Sequence, residues 1–401
     1  MTNKEILLQA VLIPGIGPAV IEQLIKKLSG EQLATIPTMR VADLQACGIS
    51  LATAQQLVNG FADRRLLDAE LARLERFSIQ FIDRFDEAYP ALLRHIHLPP
   101  LGLYVRGSLP ERYDLSLAVV GARKANSYGQ QAVELIVGEL AAKGWTIVSG
   151  GALGADAFAH RATLRASGNP GSGKTVAVIG SGLLEPYPAS HRGLFDEIAA
   201  AGGAVVSPFP LTMQALPGNF PARNRIIAGM TRGCCVVQAA EKSGALITAF
   251  AALAEGREVG AIPGSIFDPL SAGCLRLLRD GASPIMSAQD IYRMLGLAQE
   301  TDFVGTGAAS AHAGVKVSVS PQACGQTSLL PASAVQSIPN GAPATALEKL
   351  LLFCQKPQSF DALLAELRIS ETELYEKLWE LQVSGYLDEV GAGKWQSTGK
   401  P

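Results

Sequence analysis

The sequence predicts a doubly wound α/β sheet of parallel strands, set between an N-terminal helical segment and a small C-terminal domain. Three observations carry that expectation. Between residues 117 and 286, apolar runs of strand length alternate with stretches of helical periodicity. The runs are continuously apolar, as strands covered on both faces are. Nearly every run also ends in Gly, Ser or Pro: Gly121, Ser149-Gly150-Gly151, Gly180-Ser181-Gly182, Ser207-Pro208 and Pro263-Gly264. One edge of the sheet is therefore expected to be a row of small residues with room for an extended anion.

Composition bounds the rest. A chain of 401 residues has room for two to four domains. With 48% hydrophobic and only 17% charged residues, it should bury substantial cores rather than remain disordered. The net charge of −2 gives no global attraction to nucleic acid, so any basic surface must be local. The cysteines at 47, 234, 235, 274, 324 and 354 show no C-x-x-C spacing and suit a reducing compartment. Without a basic-then-apolar leader or a long apolar run, the expectation is a cytoplasmic protein with no membrane segment.

Residues 1–84 read as helical. Pro14-Gly15-Ile16-Gly17 lies between two apolar-periodic segments, the pattern of a helix–hairpin–helix, and a weaker copy stands at Ala46-Cys47-Gly48-Ile49. Such a hairpin can bring backbone N–H groups to a phosphate. The segment has nine Lys and Arg against nine Asp and Glu, so no charge surplus assists it, and a plain helical bundle with glycine turns reads equally well. Residues 85–108 are proline-rich and read as a strand-and-turn lead-in to the sheet. His95 and His97 lack partners at ligand spacing, so no metal is expected.

Strands are expected at Leu117–Val120, Trp145–Ser149, Thr175–Ile179, Ala204–Ser207, Cys234–Gln238 and Glu258–Ile262. Helices are expected near 129–143, 155–166, 191–200, 221–231, 244–255 and 273–279. Residues 299–343, rich in Ala, Gly, Ser, Thr and Pro, read as a flexible linker. Residues 344–401 read as a winged-helix-like domain: three helices, then a glycine-turned hairpin. Its third helix carries Glu371, Glu373, Glu376 and Glu380 against Lys377 alone. A groove-reading helix should be basic, so this module is expected to bind protein or aid dimerisation.

Gly168–Thr175, GNPGSGKT, matches the phosphate-loop pattern in full, yet a helix is expected before it and a strand after it. That inverts the context in which a helix N-terminus faces the phosphates. A dinucleotide site would need G-x-G-x-x-G after the first strand, where this chain has GARKAN. No Ser-His-Asp constellation stands out. An enzyme on this scaffold, either a phosphate-loop ATPase or a nucleoside-monophosphate phosphoribohydrolase, is the alternative reading. The latter enzymes carry a catalytic glutamate in a loop whose counterpart here, residues 243–254, has no acid.

The succession AVVGARKANSYG, SGGALGADAFAH, KTVAVIGSGLLEPYPASH, FPARNRIIAGM, SGALITA and GREVGAIPG resembles the DNA-processing protein A family (DprA, also called Smf). The resemblance covers about 170 residues of the core. It implies an extended Rossmann-like domain that binds single-stranded DNA, forms a homodimer, needs no cofactor, and loads the RecA recombinase on incoming DNA during natural transformation. The helical segment and the winged-helix-like domain also suit that family. The family's signature cations fall on Arg123, Lys174, Arg223 and Arg225. Three positions depart from its usual pattern: His191 for Asn, Pro208 for Glu, and Gln238-Ala239 for Glu-Ala.

Physical reasoning points to the same residues. Residues 117–298 hold 15 Lys and Arg against 12 Asp and Glu. Arg223 and Arg225 flank Asn224 at an expected helix start, where a helix N-terminus and a guanidinium can together hold a phosphate; an intramolecular salt bridge is the alternative. The DNA-contacting set expected on the small-residue edge is thus Gly121, Arg123, Ser149, Gly150, Gly151, Lys174, Gly180, Arg223, Asn224 and Arg225. With aromatic residues at 6%, phosphate contacts are expected to outweigh base stacking. Leu275, Leu278 and Ile285 on the last helix and strand give more apolar surface than one sheet edge needs, and the resemblance implies the dimer interface there.

Overall fold

A computed structural model describes residues 1–297 apart from residue 29 and residues 169–170. Past residue 345 it describes the stretches 346–356, 358–367, 377–378, 386–389 and 394–397, with Leu374 and Leu381. The described residues belong to two units, Met1–Ala298 and Gln299–Pro401. The expected linker, and most of the third C-terminal helix with its row of glutamates, lie outside the described residues.

The first unit opens with five helices: α1 (Asn3–Leu12), α2 (Pro18–Lys27), α3 (Val41–Ala46), α4 (Leu51–Ala62) and α5 (Arg65–Arg76). Thr2 starts α1 with a capping box: its hydroxyl accepts from the Glu5 N–H at 3.2 Å, and the Glu5 carboxylate accepts from the Thr2 N–H at 2.8 Å. The turn before α2 passes through Gly15 at φ +79°, and Pro18 occupies the first position of α2, where its missing N–H costs nothing. A similar turn at Gly48, φ +87°, joins α3 to α4, and Gln23 Nε2 of α2 donates to the Cys47 carbonyl at 3.2 Å.

A strand follows within the stretch expected to be helical, because Gln80–Asp83 (β1) finds an antiparallel partner. After α6 (Ala91–Arg94), β2 (Gly102–Gly107) pairs with β1 on one side and antiparallel with the later β6 on the other. The chain then alternates as expected: β3 (Ser116–Val120), α7 (Ser127–Ala142), β4 (Thr146–Ser149), α8 (Ala155–Ala166), β5 (Thr175–Val178), α9 (Arg192–Ala200), β6 (Ala204–Ser207), α10 (Asn219–Gly229), β7 (Gly233–Val236), α11 (Gly244–Ala254), β8 (Glu258–Ala261), α12 (Ala272–Arg279), β9 (Ser283–Pro284) and α13 (Ala288–Met294). The nine strands run β1-β2-β6-β5-β4-β3-β7-β8-β9, with β6 through β9 parallel. The sheet is mixed and Rossmann-like, with three strands beyond the six expected: antiparallel β1 and β2 at one end and the short parallel β9 at the other.

Alternate residues of β3 show why the strands are continuously apolar. Leu117 and Val119 pack with Val133, Ile136 and Leu140 of α7, while Ala118 and Val120 enter the core on the other face with Ile226 and Ile227 of α10. Burying each large aliphatic side chain stabilises the fold by about 1.5–3 kcal/mol. The helices before residue 76 are not packed apart from the sheet. Ile6, Leu24 and Leu57 share one core with Tyr104, Ala177, Phe195 and Val205. The buried Glu70 carboxylate of α5 also accepts from the Leu211 N–H at 2.8 Å.

In the second unit, α14 (Ala346–Phe353), β10 (Gln358–Ser359), α15 (Phe360–Leu367), β11 (Leu387–Glu389) and β12 (Lys394–Ser397) form a three-stranded antiparallel sheet in the order β10-β12-β11 with helices beside it. Its core gathers Leu350, Cys354, Leu363 and Trp395.

Candidate nucleic-acid interface

The order of the parallel strands reverses between β3 and β7, and ligands of such sheets bind at the carboxyl ends flanking that point. Six connections meet at this edge: those after β3, β4, β5, β6, β7 and β8.

Its floor is a buried polar lattice. Arg223, in the first part of α10, is only 6% exposed. Its Nη1 donates to the Val178 carbonyl at 2.7 Å and to the Gly150 carbonyl, and its Nε to Asn224 Oδ1 at 3.1 Å. It thereby ties the ends of β4 and β5 to α10. Burial lowers its pKa to about 10, the Asp156 charge opposing, so it stays cationic at neutral pH. The Asp156 carboxylate, also buried, accepts from the N–H groups of Gly150 at 3.1 Å and Ala152 at 3.3 Å. Burial raises its pKa, and Arg223 and those two amides act against the rise. The loop amides that face anions in related folds are thus occupied by a carboxylate of the chain itself.

The expectation of a roomy small-residue edge needs correction here. Ser149 is buried, with its hydroxyl donating to the Val119 carbonyl at 2.6 Å. A Cβ on Gly150 would stand 2.5 Å from Arg223 Nη1, one on Gly151 2.7 Å from the Phe195 ring, and one on Gly180 3.0 Å from Phe220. One on Gly121 would meet Ala155 Cβ at 2.7 Å. These positions are small because side chains already fill the space above them.

Nor do the expected cations assemble as one group. Arg223 and Asn224 are buried with intramolecular partners. Arg225 leans to the end of α11, where its guanidinium meets Glu255 at 3.9 Å; burial lowers its pKa and Glu255 opposes. Lys174 stands at the start of β5, hence on the amino edge of the sheet, and its Nζ donates to the Ala201 carbonyl at 3.0 Å. The phosphate-loop pattern before it does lie between a helix, α8, and a strand, β5. Of the expected cations, Arg123 alone stands exposed at the carboxyl edge.

Arg123 is stacked. Its guanidinium carbon lies 5.6 Å from the Phe220 ring centroid, Arg223 packs against the same ring at 5.8 Å, and Tyr187 meets it edge-on at 5.8 Å. Tyr187 is 45% exposed and Phe220 half-buried. The result is a surface ladder of cation and aromatic rings seated on the buried Arg223. Lys124 and Lys242 are exposed on the loops after β3 and β7. Among the described residues no acid lies within ion-pair distance of Arg123, Lys124 or Lys242. Sequence reasoning missed Phe220, Tyr187, Lys124 and Lys242. The i, i+3 spacing of Phe220 and Arg223 was the available signal, since it places both on one helix face.

Two departures from the family pattern gain a physical account. His191 is buried, and its Nδ1 lies 2.8 Å from the Gly151 carbonyl, anchoring the glycine turn. Gln238 accepts from the Asn126 N–H at 3.0 Å and donates through Nε2 to the Asp268 carboxylate at 3.3 Å. An amide does both, whereas an ionised glutamate would face Asp268 with a like charge. Pro208 follows Ser207, whose hydroxyl donates to the Ser181 carbonyl at 2.7 Å; nothing in the structure explains the proline itself. At the expected dimer interface, Leu275 and Leu278 are half-buried on α12. Ile285 is fully buried, standing 2.6 Å from a Cβ position at Gly260, so it is a core residue with no surface to offer a partner. Among the described residues no group of three His, Cys, Asp or Glu is placed to hold a metal, and no helix is long and apolar enough to cross a membrane.

Comparison with known proteins aligns with this architecture. The chain is 39% identical over 226 residues to DNA processing protein DprA of Bacillus subtilis, covering 56% of this chain and 74% of that protein. It is 39% identical over 252 residues to protein Smf of Escherichia coli, covering 63% and 66%. The X-ray structure of DNA processing protein A from Streptococcus pneumoniae superposes with a TM-score of 0.62 at 32% identity, covering 73% of this chain and 98% of that one. The model of the family described as DNA recombination-mediator protein A matches residues 80–296, the whole nine-stranded sheet with its carboxyl edge. On that match, the chain belongs to the DNA recombination-mediator protein A family.

Proposed function

We propose that this protein is a non-enzymatic mediator that binds single-stranded DNA along the carboxyl edge of its sheet. The observation that carries the reading is the exposed ladder of Arg123, Phe220 and Tyr187. An exposed planar cation beside partly exposed aromatic rings suits unpaired bases and phosphates together, whereas a duplex hides its base faces. Lys124 and Lys242 extend the positive edge. Family membership supports the further reading that the bound strand is incoming DNA, protected and handed to a RecA recombinase during natural transformation. On this reading the protein acts in the cytoplasm as a homodimer, with the exposed side of α12 around Leu275 and Leu278 as the self-association surface.

The test is fluorescence anisotropy with single- and double-stranded oligonucleotides across a salt series, beside a nucleotide-hydrolysis assay. Single strands should bind more tightly, with log affinity falling by about 0.7 per phosphate contact for each unit of log salt. Arg123→Ala should weaken binding to all sequences alike and flatten that slope by somewhat under one unit, with the thermal midpoint unchanged. Nucleotide turnover that disappears in Lys174→Ala would overturn the non-enzymatic reading. An unchanged slope in Arg123→Ala would move the DNA site, with the N-terminal turn at Gly15-Ile16-Gly17 as the next candidate.

A further inference from the structure

Phe267 is 89% exposed and its neighbour Ile266 is 79% exposed, on the loop after β8. The segment is held in place. The Phe267 N–H donates to Ser265 Oγ at 3.2 Å, and the Asp268 N–H to the Ser265 carbonyl at 3.1 Å. The Asp268 carboxylate accepts from the Leu270 N–H at 2.9 Å, from Asn126 Nδ2 at 3.2 Å and from Gln238 Nε2 at 3.3 Å. The last two come from the loops after β3 and β7, the loops that carry Arg123, Lys124 and Lys242. A large aromatic ring is therefore presented to solvent by a braced turn fixed to the cationic part of the edge.

We propose that Phe267 is a second stacking platform for a nucleobase, engaging the same single strand that lies over Phe220. The inference rests on the reading that a single strand follows this edge. Phe220 sits over the end of β5, and the sheet order puts β8 four strand spacings away. At about 4.8 Å each, the ends of β5 and β8 stand about 19 Å apart, and the two platforms rise from the loops beyond them. Between them lie the exposed cations of the switch point, with Glu241 as the exposed acid of those two loops. Ring, cations, ring is the alternation that a strand of bases on a phosphate backbone matches. A protein partner would call for a contiguous apolar core with a polar rim, whereas here the cations separate the two aromatic sites.

The experiment measures anisotropy of the full chain with oligothymidylates of increasing length, and fluorescence of strands carrying a single 2-aminopurine at successive positions. Wild type, Phe267→Ser and Phe267→Trp are compared. In Phe267→Ser, affinity for strands long enough to span both platforms should fall about tenfold, the size of one lost base stack. Affinity for shorter strands should hold, and the salt slope should not change, because no phosphate contact is lost. Quenching of 2-aminopurine should vanish at one position in Phe267→Ser and return in Phe267→Trp. The inference is overturned if Phe267→Ser binds long strands and quenches as the wild type does. It is overturned in favour of a protein interface if that variant changes only the sedimentation mass. Failure of the wild type to bind single strands at all would instead sink the reading on which it rests, and this inference with it.

Discussion

Replacing Arg223 with alanine should damage the fold before it damages any ligand contact. In the native state its guanidinium serves the carbonyls of Gly150 and Val178 and the side chain of Asn224, and offsets the buried charge of Asp156. Truncation leaves strand-end carbonyls without a donor and Asp156 without its countercharge. Breaking a buried charge pair by removing one member costs about 3–5 kcal/mol. For a unit of this size that lowers the thermal midpoint by on the order of 10 °C. Urea denaturation followed by circular dichroism gives the free energy directly, with Arg123→Ala as the exposed control that should not shift. Arg223→Lys keeps the charge but not the planar fork, and should recover part of the loss. An Arg223→Ala variant as stable as wild type, but with a flattened salt slope for single strands, would refute the argument. Arg223 would then be a phosphate ligand after all.

His160 gives a pH prediction. Thr175 Oγ1 donates to the Ile147 carbonyl at 2.9 Å and so accepts from His160 Nδ1 at 2.7 Å, which leaves Nε2 buried and bare. Burial, with His191 and Arg223 nearby, lowers the His160 pKa from 6.5 to about 3. The unfolded chain therefore binds the extra proton between those values, and stability should fall as pH drops from about 6.5 toward 3. That slope, read from thermal midpoints, should be shallower in His160→Gln; equal slopes would contradict it. Glu70→Ala removes the acceptor of the Leu211 N–H and should cost about 1–3 kcal/mol in a denaturation curve, with Glu70→Gln milder. Leu278→Arg should shift light-scattering mass from dimer to monomer while the circular dichroism spectrum stays unchanged. Unfolding by that substitution would make Leu278 a core residue.

Six of the parallel strands, β3 to β8, were legible because each centres on a short apolar run, most of them followed by Gly, Ser or Pro, a pattern that burial on both faces demands; β9, only Ser283-Pro284, has no such run. β1 was not legible either, since QFID has only the apolar pair Phe81-Ile82 between polar ends and is defined by its pairing with β2 rather than by its own periodicity. The site was legible as an edge but not as a surface. ARNR reads the same whether its arginines face a ligand or a carbonyl, and only the packing of Phe220 and Asp156 decides. Lys174 could have been set aside from sequence, because the start of a parallel strand lies opposite the edge where its neighbours end. Ile266-Phe267 carried a signal too: an apolar pair between Gly264 and Pro269, in a loop with no core to fill.

The Asp156 carboxylate seated on the amides of Gly150 and Ala152 bears on competition. Free nucleotides abound wherever DNA is handled, and a Rossmann-like edge with vacant amides would capture their terminal phosphates. Here that berth is taken internally, so a mononucleotide meets one ring and one or two solvated cations, each a weak contact alone. A polymer joins such contacts through its own backbone, and each engaged nucleotide raises the effective concentration of the next. If a single strand binds this edge as proposed, selectivity for chain length over monomer follows without any feature that recognises a particular base.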